Sequence, residues 1–419
     1  MNSKKTPFLP FILITSLFLM WGLANNMTDT LLAAFKKIMS MTDFQTSWIQ
    51  IAFYGSYFCL ALPAAILIKK FSYKTGILLG LGMFIAGALL FYPASITAQY
   101  GHFLAALFIL AGGLSILETT ANPYILALGP EETATRRLNL AQSFNPIGSI
   151  IGVALSKVYI LSSLNKASAS ARSSMSSGAL NKIQSEELAA VMGPYVGVAV
   201  LLIFLWIIIA LVKMPVASDT SKTIDLKSTL NRLMRNKNYV LGVIAQFFYV
   251  GAQIGIWSFT IRYVMQELNV NEEQASNYYL AALVLFTLSR FISTFLMKFV
   301  APGKLLIIAS SLAAICTFIV ITSHGIIGVY ALIAISGSMS LMFPTIFGLA
   351  SRGLGNDTKL GGSGLIMAIL GGAVLTAVQG QVSDMTGSIN IAFIVPLLCF
   401  GVVIIFGVVA KKPAIENVQ

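Results

Sequence analysis

Two carboxylates, Asp29 and Glu118, each stand inside a long apolar stretch of this chain. An ionised carboxylate is costly in hydrocarbon, so an acid kept there marks a functional position by default. Neither has a cationic neighbour close in sequence, and each is therefore a candidate for taking up a proton in place of staying charged. Around the first acid, Trp21, Asn25 and Asp29 recur at i, i+4 and i+8, and Asn26 lies three residues before Asp29. On a helix that spacing makes one polar and aromatic stripe, which does not suit a lipid-facing surface. Interhelical hydrogen bonding is the plainer use of the two asparagines. That role alone seldom needs an ionisable group, so Asp29 reads as a proton carrier.

Glu118 sits roughly 25 Å along its own stretch from Gly101, within the hydrocarbon layer. Asn122 follows one turn later, ahead of Pro123, whose ring frees a backbone carbonyl that is tolerable only against protein or a wet cavity. The bland alternative for Glu118 is an ion pair with Arg290. Farther on, Gln142 and Asn145 are three apart and share a helix face, offering amide donors and acceptors in fixed planes that suit vicinal hydroxyls. A second mixed stripe holds Gln246, Tyr249, Gln253 and Trp257 at i, i+3, i+7 and i+11. Indole and phenol rings stack on the C–H faces of a pyranose while amides read its hydroxyls. Arg262 reads as an interfacial anchor, and Arg290 as a structural or gating residue that must find a partner or snorkel.

These residues need elements that cross a membrane to hold them. The chain is 57% hydrophobic and 10% charged over 419 residues, with a mean hydropathy of +0.84, far from the balance of water-soluble domains. Spans of about 20 apolar residues are then the units to count. Twelve are expected, near 8–35, 45–69, 73–94, 101–128, 137–162, 189–213, 237–265, 272–299, 303–323, 325–351, 359–384 and 388–410. The fold class is an all-α membrane protein. The basic segment 214–236 divides it into two six-helix halves, 1–213 and 237–419, and acts as a cytoplasmic linker. A weak internal echo supports duplication: Pro123 and Pro344 each precede a short charged loop and a polar helix start. Two such halves enclosing a midplane cavity are the expected arrangement.

The net charge of +12 is topological. With the N-terminus inside, nineteen of the 27 Lys and Arg residues fall on one side, seven on the other, and Arg290 inside a span. That bias places both termini in the cytoplasm and argues against nucleic acid as a partner. The apolar run after Lys4 and Lys5 resembles a signal peptide but is too long and lacks a small-residue cleavage site, so it reads as the first permanent helix. Cys59, Cys316 and Cys399 are scattered in apolar runs and read as core fillers. His102 and His324 lack metal-ligand spacing, and no phosphate-binding loop occurs, so no metal, cofactor, ATP site or enzymatic activity is expected. The tract Gly361, Gly362, Gly364, Gly371 and Gly372 suits close helix packing.

Several motifs match a known family. Trp-Gly-Leu-Ala-Asn-Asn-Met-Thr-Asp at 21–29, Leu-Glu-Thr-Thr-Ala-Asn-Pro at 117–123, Asn-Leu-Ala-Gln-Ser-Phe-Asn at 139–145 and Tyr-Val-Gly-Ala-Gln-Ile-Gly-Ile-Trp-Ser at 249–258 carry the likeness. Phe-Pro-Thr-Ile-Phe at 343–347, Gly-Asn-Asp-Thr-Lys at 355–359 and Val-Ser-Asp at 382–384 extend it over nearly the whole chain. Together they resemble the fucose–galactose–glucose permease branch of the major facilitator superfamily. The resemblance implies a twelve-helix, alternating-access symporter of L-fucose or a related monosaccharide, monomeric, in the bacterial cytoplasmic (inner) membrane. It implies that Asp29 carries the coupling proton and that Glu118 joins sugar recognition to protonation. Trp21, Asn26, Gln142, Asn145 and Trp257 would line the sugar pocket, and Asn122, Gln246 and Gln253 join them on the residue reading above. Two departures stand out: Thr28 replaces a family amide, and Phe343 replaces a family tyrosine ahead of Pro344, losing a hydroxyl that could bond sugar and so shift discrimination.

The expected cycle begins outward-facing, takes a proton on Asp29, binds sugar, rocks as two rigid bodies and releases both inside. Within the class, the rivals are glucose/galactose or N-acetylglucosamine uptake, and sodium as the coupling ion. Outside it, a membrane sugar sensor or a passive channel would share part of the pocket.

Overall fold

The computed structural model describes residues 6–38, 43–97, 99–160, 172, 174–215 and 225–410, with the side chains of 28–37, 43–47, 50, 157, 160, 177, 181 and 189–191 excepted. The linker residues 216–224 lie outside the described residues. Eleven helical segments among the described residues are long and apolar enough to cross a membrane. They match eleven of the expected spans. The remaining span, expected over 137–162, is helical over its described residues 137–160, with an interruption at Ser143.

The helices are α1 (Phe8–Ile38), α2 (Asp43–Lys70), α3 (Tyr73–Thr97), α4 (Tyr100–Ala127), α5 (Ala134–Gln142), α6 (Phe144–Leu155) and α7 (Ser177–Leu211). After the basic segment come α8 (Leu226–Arg235), α9 (Lys237–Leu268), α10 (Glu272–Leu296), α11 (Pro302–Thr322), α12 (Ile326–Met339), α13 (Met342–Ala350), α14 (Thr358–Met367), α15 (Gly371–Thr386), α16 (Ile389–Ala392) and α17 (Ile394–Ala410). Capping explains several starts: Asn236, Asn271 and Ser388 each accept from the backbone N–H three residues on. The α5–α6 break falls at Ser143: the Ser143 N–H still reaches the Asn139 oxygen at 3.0 Å, but Pro146 has no N–H to give the Gln142 oxygen.

The chain forms two compact units. One joins residues 12–121 to 144–216. In it α3 packs along α7, and α1 crosses α6 at glycines: a methyl on Gly22 would land on the Asn145 main-chain oxygen, and one on Gly148 on that of Leu19. Small residues allow this close approach where no hydrophobic effect drives helices together.

The other unit joins residues up to Phe11, 122–143 and 217–419. There α9 packs on α15 and α17, α11 on α12 and α17, and the short α5 on α13 and α10. The glycine tract serves as packing surface: a Cβ on Gly362 would press on the Pro123 ring and one on Gly371 would meet the Phe247 oxygen. Glu267 ties three loops together, accepting from the Gly325 backbone at 2.6 Å and from Asn390 at 2.9 Å, with the exposed His324 ring at 3.4 Å. At the linker, Arg232 of α8 makes a forked ion pair with Asp357, both bonds 2.8 Å, and this partner strengthens the guanidinium's hold on its proton. Cys316 and Cys399 are buried as expected, but Cys59 is exposed. An apolar exterior suits a thiol in a membrane span as well as a core does, so hydropathy alone misplaced it.

Candidate transport site

In the unit built from 12–121 and 144–216, Glu118 is 4% exposed on α4. The Tyr57 phenol on α2 donates to its Oε1 at 3.1 Å. No basic side chain among the described residues pairs with it. Tyr57 is held in turn: the Ser115 hydroxyl donates to its main-chain oxygen at 3.0 Å, and the Trp21 side chain lies within hydrogen-bonding range of its phenol. Trp21 stacks on Phe18 with ring centroids 5.8 Å apart. Asn26 is half-buried and donates to the Gly22 oxygen at 3.1 Å, whereas the Oδ1 of Asn25 is buried without a partner among the described residues. Asn145 donates to the Phe18 oxygen at 3.3 Å. The Asp29 side chain lies outside the described residues, so its proton role stays with the sequence reading.

The second unit gathers another polar set. Asn122 is fully buried, accepts from Gln142 Nε2 at 2.7 Å through Oδ1, and leaves Nδ2 without a partner among the described residues. Arg290, 4% exposed, donates Nη1 to the Gln142 main-chain oxygen at 3.1 Å and Nε to the Ser340 oxygen, and lies 4.6 Å over the Phe286 ring. Both acceptors sit where a helix is interrupted, after α5 and after α12, where carbonyls lack their usual partners. Arg290 therefore caps two broken helix ends and pairs with no carboxylate among the described residues. Asn139 donates to Thr345 Oγ1 at 3.1 Å, a hydrogen bond between α5 and α13.

On α9, Gln246 is fully buried, and neither its amide nitrogen nor its oxygen has a partner among the described residues. Gln253 and Trp257 are half-buried. The Trp257 indole donates to Ser336 Oγ at 3.3 Å and meets Phe286 edge-on at 5.1 Å. The Tyr249 hydroxyl donates to the Met339 oxygen at 3.1 Å, and its ring lies 6.4 Å from Phe343. Arg262 is exposed and lies 4.2 Å over the Phe259 ring, as an anchor would.

The structure thus brings Trp21 and Glu118 together through Tyr57, and Asn122, Gln142 and Arg290 through direct bonds. Gln142 donates to Asn122, and Asn145, expected on the same helix face, donates to the Phe18 oxygen. Sequence reasoning missed Tyr57 on α2 and Gln379 on α15, which is 1% exposed with both amide atoms unpartnered among the described residues. The available signals were Gln50, Tyr54 and Tyr57 at i, i+4 and i+7 on α2, and the glutamines Gln379 and Gln381 on α15. Neither histidine belongs to either set, and no metal-holding cluster of His, Cys, Asp or Glu occurs among the described residues.

Twelve expected spans, paired prolines and buried polar sets define a membrane transporter of the major facilitator fold. The chain belongs to the Major Facilitator Superfamily, whose sequence profile matches residues 11–373. It is 41% identical to the L-fucose-proton symporter of Haemophilus influenzae over 98% of this chain and 99% of that one. It is 34% identical to a glucose/galactose transporter of Brucella abortus, over 98% of this chain and 96% of the relative. The crystal structure of FucP, a major facilitator transporter, in the outward conformation superposes with a TM-score of 0.92 at 39% identity, covering 98% of this chain and 100% of that one. The protein is a transporter and not an enzyme.

Proposed function

We propose that this chain is a secondary active sugar transporter that couples uptake of L-fucose, or a closely related monosaccharide, to proton entry by alternating access. The observation that carries the reading is Glu118, a carboxylate buried in a membrane span whose described partner is a neutral phenol. A charge there opposes closure of the site around it. Protonation removes that cost, which ties the conformational change to proton occupancy. Asp29 and Glu118 are the proposed proton-coupling pair, with Asp29 loading first.

Trp21, Asn26, Glu118, Asn122, Gln142, Asn145, Gln246, Gln253 and Trp257 are the proposed sugar-binding residues. The unpartnered amides of Gln246 and the free Nδ2 of Asn122 support this, because buried polar groups left unmatched are costly and a sugar hydroxyl would satisfy them. Arg290 and Phe343 are assigned to gating or support, and the halves 1–213 and 237–419 to the moving bodies. We place the protein as a monomer in a bacterial inner membrane with both termini cytoplasmic, on the distribution of Lys and Arg.

Glucose or galactose is the second reading, favoured by Phe343, which sets a bare phenyl ring beside Tyr249. Competition of L-fucose, D-galactose, D-glucose and N-acetylglucosamine against labelled L-fucose in proteoliposomes decides the substrate. L-fucose should compete best, and a tenfold preference for glucose would move the assignment.

A further inference from the structure

The entry to α1 and the turn between α4 and α5 enclose a cavity of about 290 Å³. Its polar lining is Arg136, Arg137, Thr6 and Thr133, and its apolar lining is Phe8, Phe11 and Leu140. Arg137 is 6% exposed and spends four N–H donors on neutral acceptors: the oxygens of Ile125 at 2.8 Å, Leu126 at 2.6 Å and Pro130 at 3.1 Å, and Thr133 Oγ1 at 3.0 Å. A guanidinium has five such donors, so one remains, on Nη2. Its full charge stays uncompensated, since no carboxylate pairs with it among the described residues. Arg136 beside it is half-buried and has no hydrogen bond or ion pair among the described residues. Gly129 lets the groups converge: a Cβ there would stand 2.5 Å from Thr6 Oγ1 and 2.9 Å from Arg137 Nη1. Glu131 and Glu132 in the same turn are exposed and do not line the cavity.

Two adjacent cations and two hydroxyls describe a site for a phosphate oxyanion. The rim carries the rest of the specification. Phe8 is 78% exposed and Leu140 37%, and Phe8 opens the first membrane-crossing segment, so the cavity sits at the boundary between headgroups and acyl chains. A diffusible phosphate has no use for three apolar rim side chains, whereas a phospholipid presents its phosphate and its chains at this spacing.

We propose that this cavity binds the headgroup phosphate of an anionic phospholipid, with Arg136 and Arg137 Nη2 as the charged donors and Phe8, Phe11 and Leu140 against the acyl chains. The site is separate from the sugar-binding residues and does not depend on which sugar is carried.

The test is native mass spectrometry of the full chain in detergent, titrated with phosphatidylglycerol, phosphatidylcholine or inorganic phosphate. The wild type should retain one phosphatidylglycerol in preference to phosphatidylcholine, and inorganic phosphate should not displace it. Arg136→Gln should weaken retention about fivefold or more, the loss expected for one cation near an anionic headgroup. Leu140→Glu, which sets a negative charge on the exposed rim, should weaken it likewise. Arg235→Gln, on the exposed face of α8, should change nothing. The proposal is overturned if both cavity variants hold the lipid as wild type does, if Arg235→Gln weakens retention equally, or if phosphate alone displaces the lipid.

Discussion

The Tyr57 hydroxyl donates to Glu118 Oε1 at 3.1 Å, and this neutral contact is the hydrogen bond that the described structure gives a carboxylate buried in a membrane span. A strong cationic partner would hold Glu118 permanently ionised. A phenol can serve both protonation states, donating to the carboxylate and accepting from the acid.

Tyr57→Phe should therefore impair coupling while sparing the fold. A hydrogen bond to a charged group contributes about 1.5–3 kcal/mol, so initial rates of proton-driven uptake should fall roughly tenfold or more. Melting temperature in detergent should stay close to wild type. Unchanged uptake would remove Tyr57 from the coupling site.

Arg290→Lys tests the double cap. An ammonium cannot reproduce the planar fork that reaches the oxygens of both Gln142 and Ser340. The variant should lose about 2 kcal/mol or more, seen as a lowered unfolding midpoint. A midpoint equal to wild type would show that water or other donors already serve those carbonyls.

Gly22→Ala tests the α1–α6 crossing. The added methyl meets the main-chain oxygen of Asn145, which cannot swing aside as a side chain would. Overpacking costs about 1–3 kcal/mol even in cores able to adjust, so expression in the membrane should drop sharply. Gly55→Ala, where the methyl meets open space, should be neutral and serves as the control.

Phe343→Tyr restores a hydroxyl beside Tyr249. If sugar reaches this position, the ratio of KM values between L-fucose and D-glucose should shift by about tenfold, the value of one hydrogen bond. A ratio unaltered by the substitution would make Phe343 a packing residue.

Much of the fold was legible because a bilayer demands long apolar helices, and eleven of the expected spans coincide with helical stretches long and apolar enough to cross. The break at Ser143 was not read, because hydropathy does not register Pro146, whose missing N–H leaves the Gln142 oxygen without its helical donor. Polar stripes identified Trp21, Gln142, Gln246 and Trp257, since hydrogen-bonding side chains in apolar runs are few. Tyr57 escaped notice although Gln50, Tyr54 and Tyr57 recur at i, i+4 and i+7 on α2, a polar and aromatic stripe comparable to the one on α9. Arg290 was singled out as a buried cation, and its acceptors were legible too: Pro146 and Pro344 stand four residues after Gln142 and Ser340 and lack the N–H each oxygen would otherwise accept.

The central claim is that proton occupancy of the buried acids drives uphill sugar movement. The most direct measurement compares wild type with Glu118→Gln and Asp29→Asn in proteoliposomes, recording sugar accumulation against its gradient alongside exchange of labelled for unlabelled sugar. The account predicts that wild type accumulates sugar when the outside is acidified, while both variants lose accumulation and retain some exchange. Concentrative uptake persisting in either variant, or uptake that follows a sodium gradient at fixed pH, would contradict it.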